Sequence, residues 1–419
     1  MNLRAVKGMK DILPDEIGKW HRLEQAFRAR VEGYGFQEVR TPIVEPTALF
    51  VRSIGETTDI VEKEMYTFTD RGEKTLTLRP EGTASSVRAY VQHSIQSKEP
   101  VTKWYYIGPM YRRERPAKGR YRQFYQAGIE LFGDPGPYAD AEVIDMVVGF
   151  ISDLGITEVE VLINSIGGPG TRAAYTDALL GYLEPYRSEL CPDCQRRMDV
   201  NPLRVLDCKV PRCAEIAAGA PSLLDHLTDD DREHFDGLQA TLDKLGTPYR
   251  VDGSLVRGLD YYTRTLFEVL GKGEGLGAQN ALLGGGRYDQ MVKSLGGPDT
   301  PAIGFAMGLE RLLMAMPDAE PTPHIDAFIV SAQAGVRSEA ALLGRELRDA
   351  GLRVESDLRG GSLKSQLRRA DKMRARFALI LGESEVESGV VQLKDLRAQT
   401  QEEVPRAELP DRIAALSST

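Results

Sequence analysis

The sequence predicts two domains of different class. The first, residues 1–320, reads as an α+β domain built on an antiparallel sheet and carrying a helical insertion at about 168–245; the second, 325–419, reads as a small α/β domain. Three observations carry this. "WYYIGPMYRRER" and "RYRQFYQAGIELFG" are strand-like and joined by the turn signal "PAKG", which makes a long antiparallel hairpin. Residues 168–245 are helix-prone, rich in Asp and Leu, and hold all four cysteines. After the Pro- and acid-rich linker "PDAEPTPHID", the apolar strands "AFIVSA", "RVESDL" and "FALILG" alternate with helical segments at 336–349 and 363–375, which implies a mainly parallel sheet.

Taken in order, Pro14 and two acids suit a helix N-terminus, and Trp20, Leu23, Phe27 and Val31 recur at helical spacing until Gly33 and Gly35 stop the pattern. "FQEVRTPIVEP" is extended, but Pro42 cannot donate to a central ladder, so it belongs at an edge or interface. "TLTLRPEGTASSVRAYVQ" gives a strand, a turn and a helix beginning near Thr83. "AIGFAMGLERLLMAM" gives a short strand running into a helix, with Arg311 about one turn inside it.

Composition narrows the function. With 419 residues, net charge −9 and a pI near 5.4, the chain is not a general nucleic-acid coat, so any RNA contact must be local. "MNLRAVKGMKDILPDE" has no apolar signal region and no apolar run of membrane-spanning length follows; a cytoplasmic protein without membrane or DNA partners is expected. Against this acidic background, five arginines and one lysine crowd between Arg112 and Arg122. A solvated loop is the bland explanation; the chemical one is a bound polyanion, because guanidinium groups fork onto phosphate oxygens. Phe124, Tyr121 and Tyr125 on the same hairpin offer rings for a base. Glu114, Gln126 and Glu130 suggest a second ligand carrying donors, such as an amino group. Glu81 and Thr83 sit in a turn before a helix and can be read as a cap. No Walker loop is present.

Together these motifs resemble the histidyl-tRNA synthetases, class II enzymes that aminoacylate tRNA. "GFQEVRTPIVEP", "YRRERPAKGRYRQFYQAGIE" and "GFAMGLERL" look like class motifs 1, 2 and 3, while "VRGLDYYTRTLFE" and "LLGGGRYDQM" look like the histidine-specific signatures. The resemblance implies the class II fold with a C-terminal anticodon-binding domain, and a homodimer with Pro42 at its interface. It implies that L-histidine, ATP with Mg²⁺, and tRNA(His) are the partners, joined through a histidyl-adenylate. By the family pattern Glu81, Thr83 and Gln126 hold the α-amino group, Glu130 and Tyr262 the imidazole, and Tyr261 and Tyr288 complete the pocket. Arg112 and Arg257 flank the α-phosphate and carboxylate and are the catalytic pair. Arg120 and Arg311 take the γ-phosphate, Glu114 reads the adenine edge, and Tyr121, Phe124 and Arg311 bound the nucleotide. One departure is Tyr125, where the family commonly has His. A noncatalytic regulatory paralogue is the competing reading, although such paralogues usually lack the last domain and parts of the signatures.

Two features stay open. The basic run Arg359–Arg376 has seven basic residues against one acid, and Lys364, Arg368, Arg369 and Lys372 on it are candidates for tRNA phosphates. Cys191, Cys194, Cys208 and Cys213 form a CxxC and a Cys-x₄-Cys; free thiols, a structural zinc and a disulfide are all compatible with that spacing.

Overall fold

The structure, a computed structural model, describes residues 3–56, 58–206, 208–256, 259–273, 280–318, 325–357 and 360–417. The chain divides into two compact units, Met1–Asp318 and Ala319–Thr419.

The first unit is built on an eight-stranded sheet. In spatial order its strands are Gln37–Glu38, Thr102–Tyr111, Gln123–Phe132, Ala302–Gly308, Ala281–Arg287, Thr263–Gly271, Val159–Ser165 and Arg250–Val251. All pairs are antiparallel except the two outermost, where the short edge strands run parallel to their neighbours. The expected arginine hairpin is the longest pairing, with ten matched positions from Thr102↔Phe132 to Tyr111↔Gln123. The motif around Pro42 is split, with Pro42 in the link between two edge strands: Gln37–Glu38 joins the edge of the large sheet, and Val44–Pro46 joins the edge of a separate three-stranded sheet with Tyr66–Thr69 and Thr75–Leu78.

Helix Pro14–Gly33 forms where predicted and buries Trp20, Leu23, Phe27 and Val31. With helices Pro137–Asp153 and Asp229–Leu245 it covers one face of the sheet, and their side chains share one core with Ala127, Ile129, Leu131, Phe267 and Phe305. Asp229–Leu245 thus packs into the main core through Phe235, Leu238 and Leu242. The intervening helices Pro169–Leu183, Pro192–Val200 and Pro211–Ala218 build a second, smaller core around Tyr175, Leu179, Met198, Val205 and Ile216, shared with Leu162 and Leu266 of the large sheet.

The opposite face of the sheet carries helix Thr83–Gln92 and an aromatic group of Tyr90, Trp104, Phe132 and Tyr288. Strand Gln123–Phe132 serves both faces. Tyr125, Ala127, Ile129 and Leu131 point to the helical core, so Phe124, Gln126 and Glu130 point the other way.

The second unit holds a five-stranded sheet in the order Val354–Ser356, Ala327–Ser331, Phe377–Leu381, Val390–Asp395, Thr400–Pro405. The first three are parallel and enclose the helices Arg337–Asp349 and Leu363–Lys372, as the alternation predicts. The mainly parallel expectation needs one correction: the last two strands form an antiparallel hairpin. Its turn places Gln399 at φ 56°, a conformation that no Gly or Pro announces.

Candidate active site

Strand and turn geometry bring most of the singled-out residues into one cleft of about 260 Å³. The returning strand of the arginine hairpin contributes Phe124 and Gln126, and the turn before helix Thr83–Gln92 contributes Glu81 and Thr83. Tyr261, Tyr262 and Tyr288 close the far side, while Arg112, Glu114, Arg120, Tyr121 and Arg311 line the mouth. Arg257 lies outside the described residues.

Glu130 lies behind the cleft wall, with no solvent exposure, against Tyr288 and Gly304, which do line the cleft. Tyr288 donates a hydrogen bond to its Oε2, and Oε1 has no hydrogen-bond partner of good geometry. The strand beside it must be glycine, since a Cβ at Gly304 would collide with this carboxyl group. Burial pushes the Glu130 carboxyl up to about 8; the hydroxyl of Tyr288, which favours the charged form, offsets only part of that cost. Tyr106 stands directly opposite Gly128 in the hairpin register, and its hydroxyl, near Glu130 and Thr83, likewise has no hydrogen-bond partner of good geometry among the described residues.

Glu81 accepts from the backbone N–H of Thr83 at 2.6 Å and of Ala84 at 2.8 Å. The capping geometry is therefore real, and it fixes a buried carboxylate at the cleft wall. Burial raises its pKa despite those two donors.

Arg112 and Arg311 are held by the scaffold, whereas Arg113, Arg115 and Arg120 are exposed. Arg112 donates from Nε to the Pro80 carbonyl at 2.9 Å, and its guanidinium lies 5.2 Å from the centre of the Phe124 ring. Glu114 stands between Arg112 at 3.9 Å and Arg120 at 3.5 Å. Arg311 donates to the carbonyls of Ala281 at 3.0 Å and Gly119 at 3.4 Å, which ties the motif 3 helix to the hairpin turn. Tyr125 turns away from this cleft and packs edge-on against Trp20, with ring centres 5.1 Å apart. The departure from the family pattern at this position is thus on the core side of the strand.

"LLGGGRYD" has a second function that its spacing alone does not reveal. Arg287 is fully buried and pairs with Asp140 at 2.8 Å; it also reaches Asp289 at 3.1 Å and the carbonyls of Asp134 and Gly136. Burial raises Asp140 to about 6 even so. This network fixes the strand end next to Tyr288, and Asp140 lies 147 positions away in sequence, so no local pattern signals it.

Two further cleft residues escaped the sequence reading. Glu268, pairing opposite Gly284, and Glu310, which accepts the Tyr125 N–H at 2.9 Å, both line the pocket. Each is a single acid in an apolar run, and that is the signal available for finding them. A larger cavity of about 790 Å³ adjoins the cleft, and Arg112, Arg120, Leu259 and Tyr262 line both. Arg172, Arg197, Arg204, Lys209, Cys191 and Cys208 from the insertion line its other side.

In the second unit Lys364, Arg368 and Lys372 are exposed on helix Leu363–Lys372. Arg369 is not equivalent to them: it pairs with Asp357 at 3.2 Å and approaches Glu355 at 4.0 Å.

The comparisons agree with this layout. The family described as "Histidyl-tRNA synthetase" matches residues 8–167 and 212–312, and the "Anticodon binding domain" matches residues 326–416. A histidine–tRNA ligase of Sorangium cellulosum is 58% identical over 405 residues, covering 97% of this chain and 94% of its own. One from Anaeromyxobacter sp. (strain K) is 50% identical over 414 residues, covering 97% and 98%. The crystal structure of apo S. aureus histidyl-tRNA synthetase superposes with a TM-score of 0.84 at 35% identity, covering 98% of this chain and 100% of that one. With class II sheet, histidine signatures and anticodon-binding domain all present at such identity, the chain belongs to the histidyl-tRNA synthetase family.

Proposed function

We propose that the glycine-lined cleft activates histidine with ATP and that the product is passed to tRNA(His). Charging of tRNA(His) follows from membership of the family. The assignment of roles to residues is our reading. The observation that carries it is the buried Glu130 carboxyl, bonded to Tyr288, whose ring lines the same cleft as Arg112, Arg120 and Arg311.

Imidazole offers one donor and one acceptor when neutral, and two donors when charged. Glu130, with Tyr262 and Tyr288 beside it, gives those nitrogens partners that an apolar side chain leaves unpaired. Such a mismatch costs ~10⁴-fold or more, enough for selection without a separate editing site. Glu81, Thr83 and Gln126 take the α-ammonium group; Glu81 and Gln126 are both buried, and the Gln126 Oε1 is unpaired.

Adenylate formation brings two anions together, so the protein must supply position and positive charge. Arg112 and Arg257 flank the carboxylate and α-phosphate and lower their repulsion as charge develops. Arg120 and Arg311 hold the γ-phosphate, and Phe124 with Tyr121 and Arg311 encloses adenine, whose edge Glu114 reads. Mg²⁺ brought with the nucleotide would supply charge neutralisation at the leaving phosphates. Glu268 and Glu310 are the lining acids suited to a hard cation, and burial raises Glu310 to about 7. No protein base is assigned for attack by the tRNA ribose hydroxyl.

A homodimer in the cytoplasm completes the proposal. Supporting it, Ile43, Val44 and Phe68 are exposed on or beside the small three-stranded sheet next to Pro42, and no described helix is long and apolar enough to cross a membrane. ATP–pyrophosphate exchange that depends on histidine tests the whole reading. Exchange absent with histidine, while histidine still binds, would instead favour the regulatory paralogue.

A further inference from the structure

We infer that the insertion holds a structural zinc ion on Cys191, Cys194, Cys208 and Cys213. The chain has four cysteines in 419 residues, and all four converge: their sulfurs lie within 4.8 Å of one another. Four sulfurs each about 2.3 Å from a tetrahedral zinc stand about 3.8 Å apart. Cys191 Sγ and Cys208 Sγ are 3.9 Å apart, close to that edge and far from the about 2.05 Å of a disulfide. A cluster of several irons would hold its cysteine sulfurs further apart than this.

Local structure prepares the ligands. Cys191 is the N-cap of helix Pro192–Val200 and Cys194 its third residue; Cys213 is the third residue of helix Pro211–Ala218. A proline opens each helix, so both segments are preset to turn at the cluster. The backbone N–H of Cys191 donates to Cys213 Sγ at 3.2 Å, a bond that stabilises a thiolate. Cys194 and Cys213 have no exposed surface, while Cys191 is half-buried and gives an ion its entry.

The site answers a physical need. The described elements of the insertion between Pro169 and Ala218 are all helices, and their core closes only by borrowing Leu162 and Leu266 from the large sheet; small units of this kind commonly use a metal or disulfide staple. Three of the four ligands also fall in the segment 168–211 that the family match leaves out, so membership of the family does not itself assign the site. On binding, four S–H bonds break, four Zn–S bonds form and four protons pass to solvent, leaving a site of charge −2; nothing is oxidised or reduced. Arg197, Arg204 and Lys209, on the adjoining cavity wall, offset that charge. Because Cys191 and Cys208 line the same cavity as Arg112 and Arg120, the ion would fix the wall facing the arginine hairpin.

The test is metal analysis of the full-length protein purified without chelator. About one zinc per chain is expected, with the four thiols unreactive toward a thiol reagent until a strong chelator is added. Cobalt exchanged for zinc should show the intense visible bands of a tetrahedral thiolate site. The Cys191→Ser/Cys208→Ser variant should lose the metal, and Cys191→His, which keeps a zinc donor, should retain it even where the double variant folds poorly. Zinc below about a tenth of an equivalent, with four thiols reacting at the same rate before and after chelation, would overturn the inference. So would a disulfide by mass, or iron in place of zinc.

Discussion

Glu130→Gln tests the buried carboxyl behind the cleft wall from an unusual direction, because the change should stabilise the protein while damaging it as an enzyme. Burial raises this carboxyl from its ordinary 4.5 to about 8, so the folded state holds a proton that the unfolded chain releases. The sign follows from linkage: a raised folded pKa gives stability that is complete below about pH 4.5 and lost as pH rises through about 8. At ~1.36 kcal/mol per unit, the wild type should lose ~4 kcal/mol between about pH 5 and pH 8 from this group, and the glutamine variant none of it. The two tryptophans, Trp20 and Trp104, both lie in the first unit, so tryptophan fluorescence during urea unfolding reports on that unit. The stability difference, variant minus wild type, should climb by about 1 kcal/mol or more per pH unit across this window. A difference flat to within ~0.5 kcal/mol would refute the buried, protonated carboxyl. In steady-state assays the same variant should raise KM for histidine far more than KM for ATP; equal effects on both would mean a distorted hairpin.

The remaining expectations concern positive charge. Arg257→Ala should lower kcat for adenylate formation by ~10²-fold or more, read as histidine-dependent pyrophosphate exchange; activity within about threefold of wild type removes it from the catalytic pair. Arg287→Met leaves Asp140 buried without its partner and should cost ~3–5 kcal/mol in the same fluorescence assay, with part recovered by adding Asp140→Leu; no recovery would show that the pair is not the source. Replacing Lys364, Arg368 and Lys372 by Ala should flatten the salt dependence of tRNA binding by ~2 in logarithmic slope, and an unchanged slope would assign that helix face to solvent.

Which parts of this were legible in sequence depends on the range of the interaction. The arginine hairpin was readable because alternation and the "PAKG" turn are local, and once the register is set Gln126 and Glu130 must share a face. The first helix was equally plain from Trp20 to Val31. Resemblance supplied the roles in the cleft, since nothing local says that Tyr288 reaches Glu130 across 158 positions. The Arg287–Asp140 pair was hidden for the same reason, and so was the partner that withdraws Arg369 from the basic run. Asp229–Leu245 read as insertion by composition, but its three apolar side chains enter the main core, a choice that only packing makes.

The two-faced strand Gln123–Phe132 sets a limit on how this enzyme can change. A one-residue deletion inside it would swing Ile129 into the cleft and Glu130 into the apolar core, exchanging reagent for ballast at every position beyond the cut. A deletion of two residues restores the faces but slides Glu130 past Trp104 by a full pleat, away from Tyr288. Length variation in this region is therefore confined to the turn between Tyr111 and Gln123. There the chain can change length without moving Glu130 from beside Tyr288.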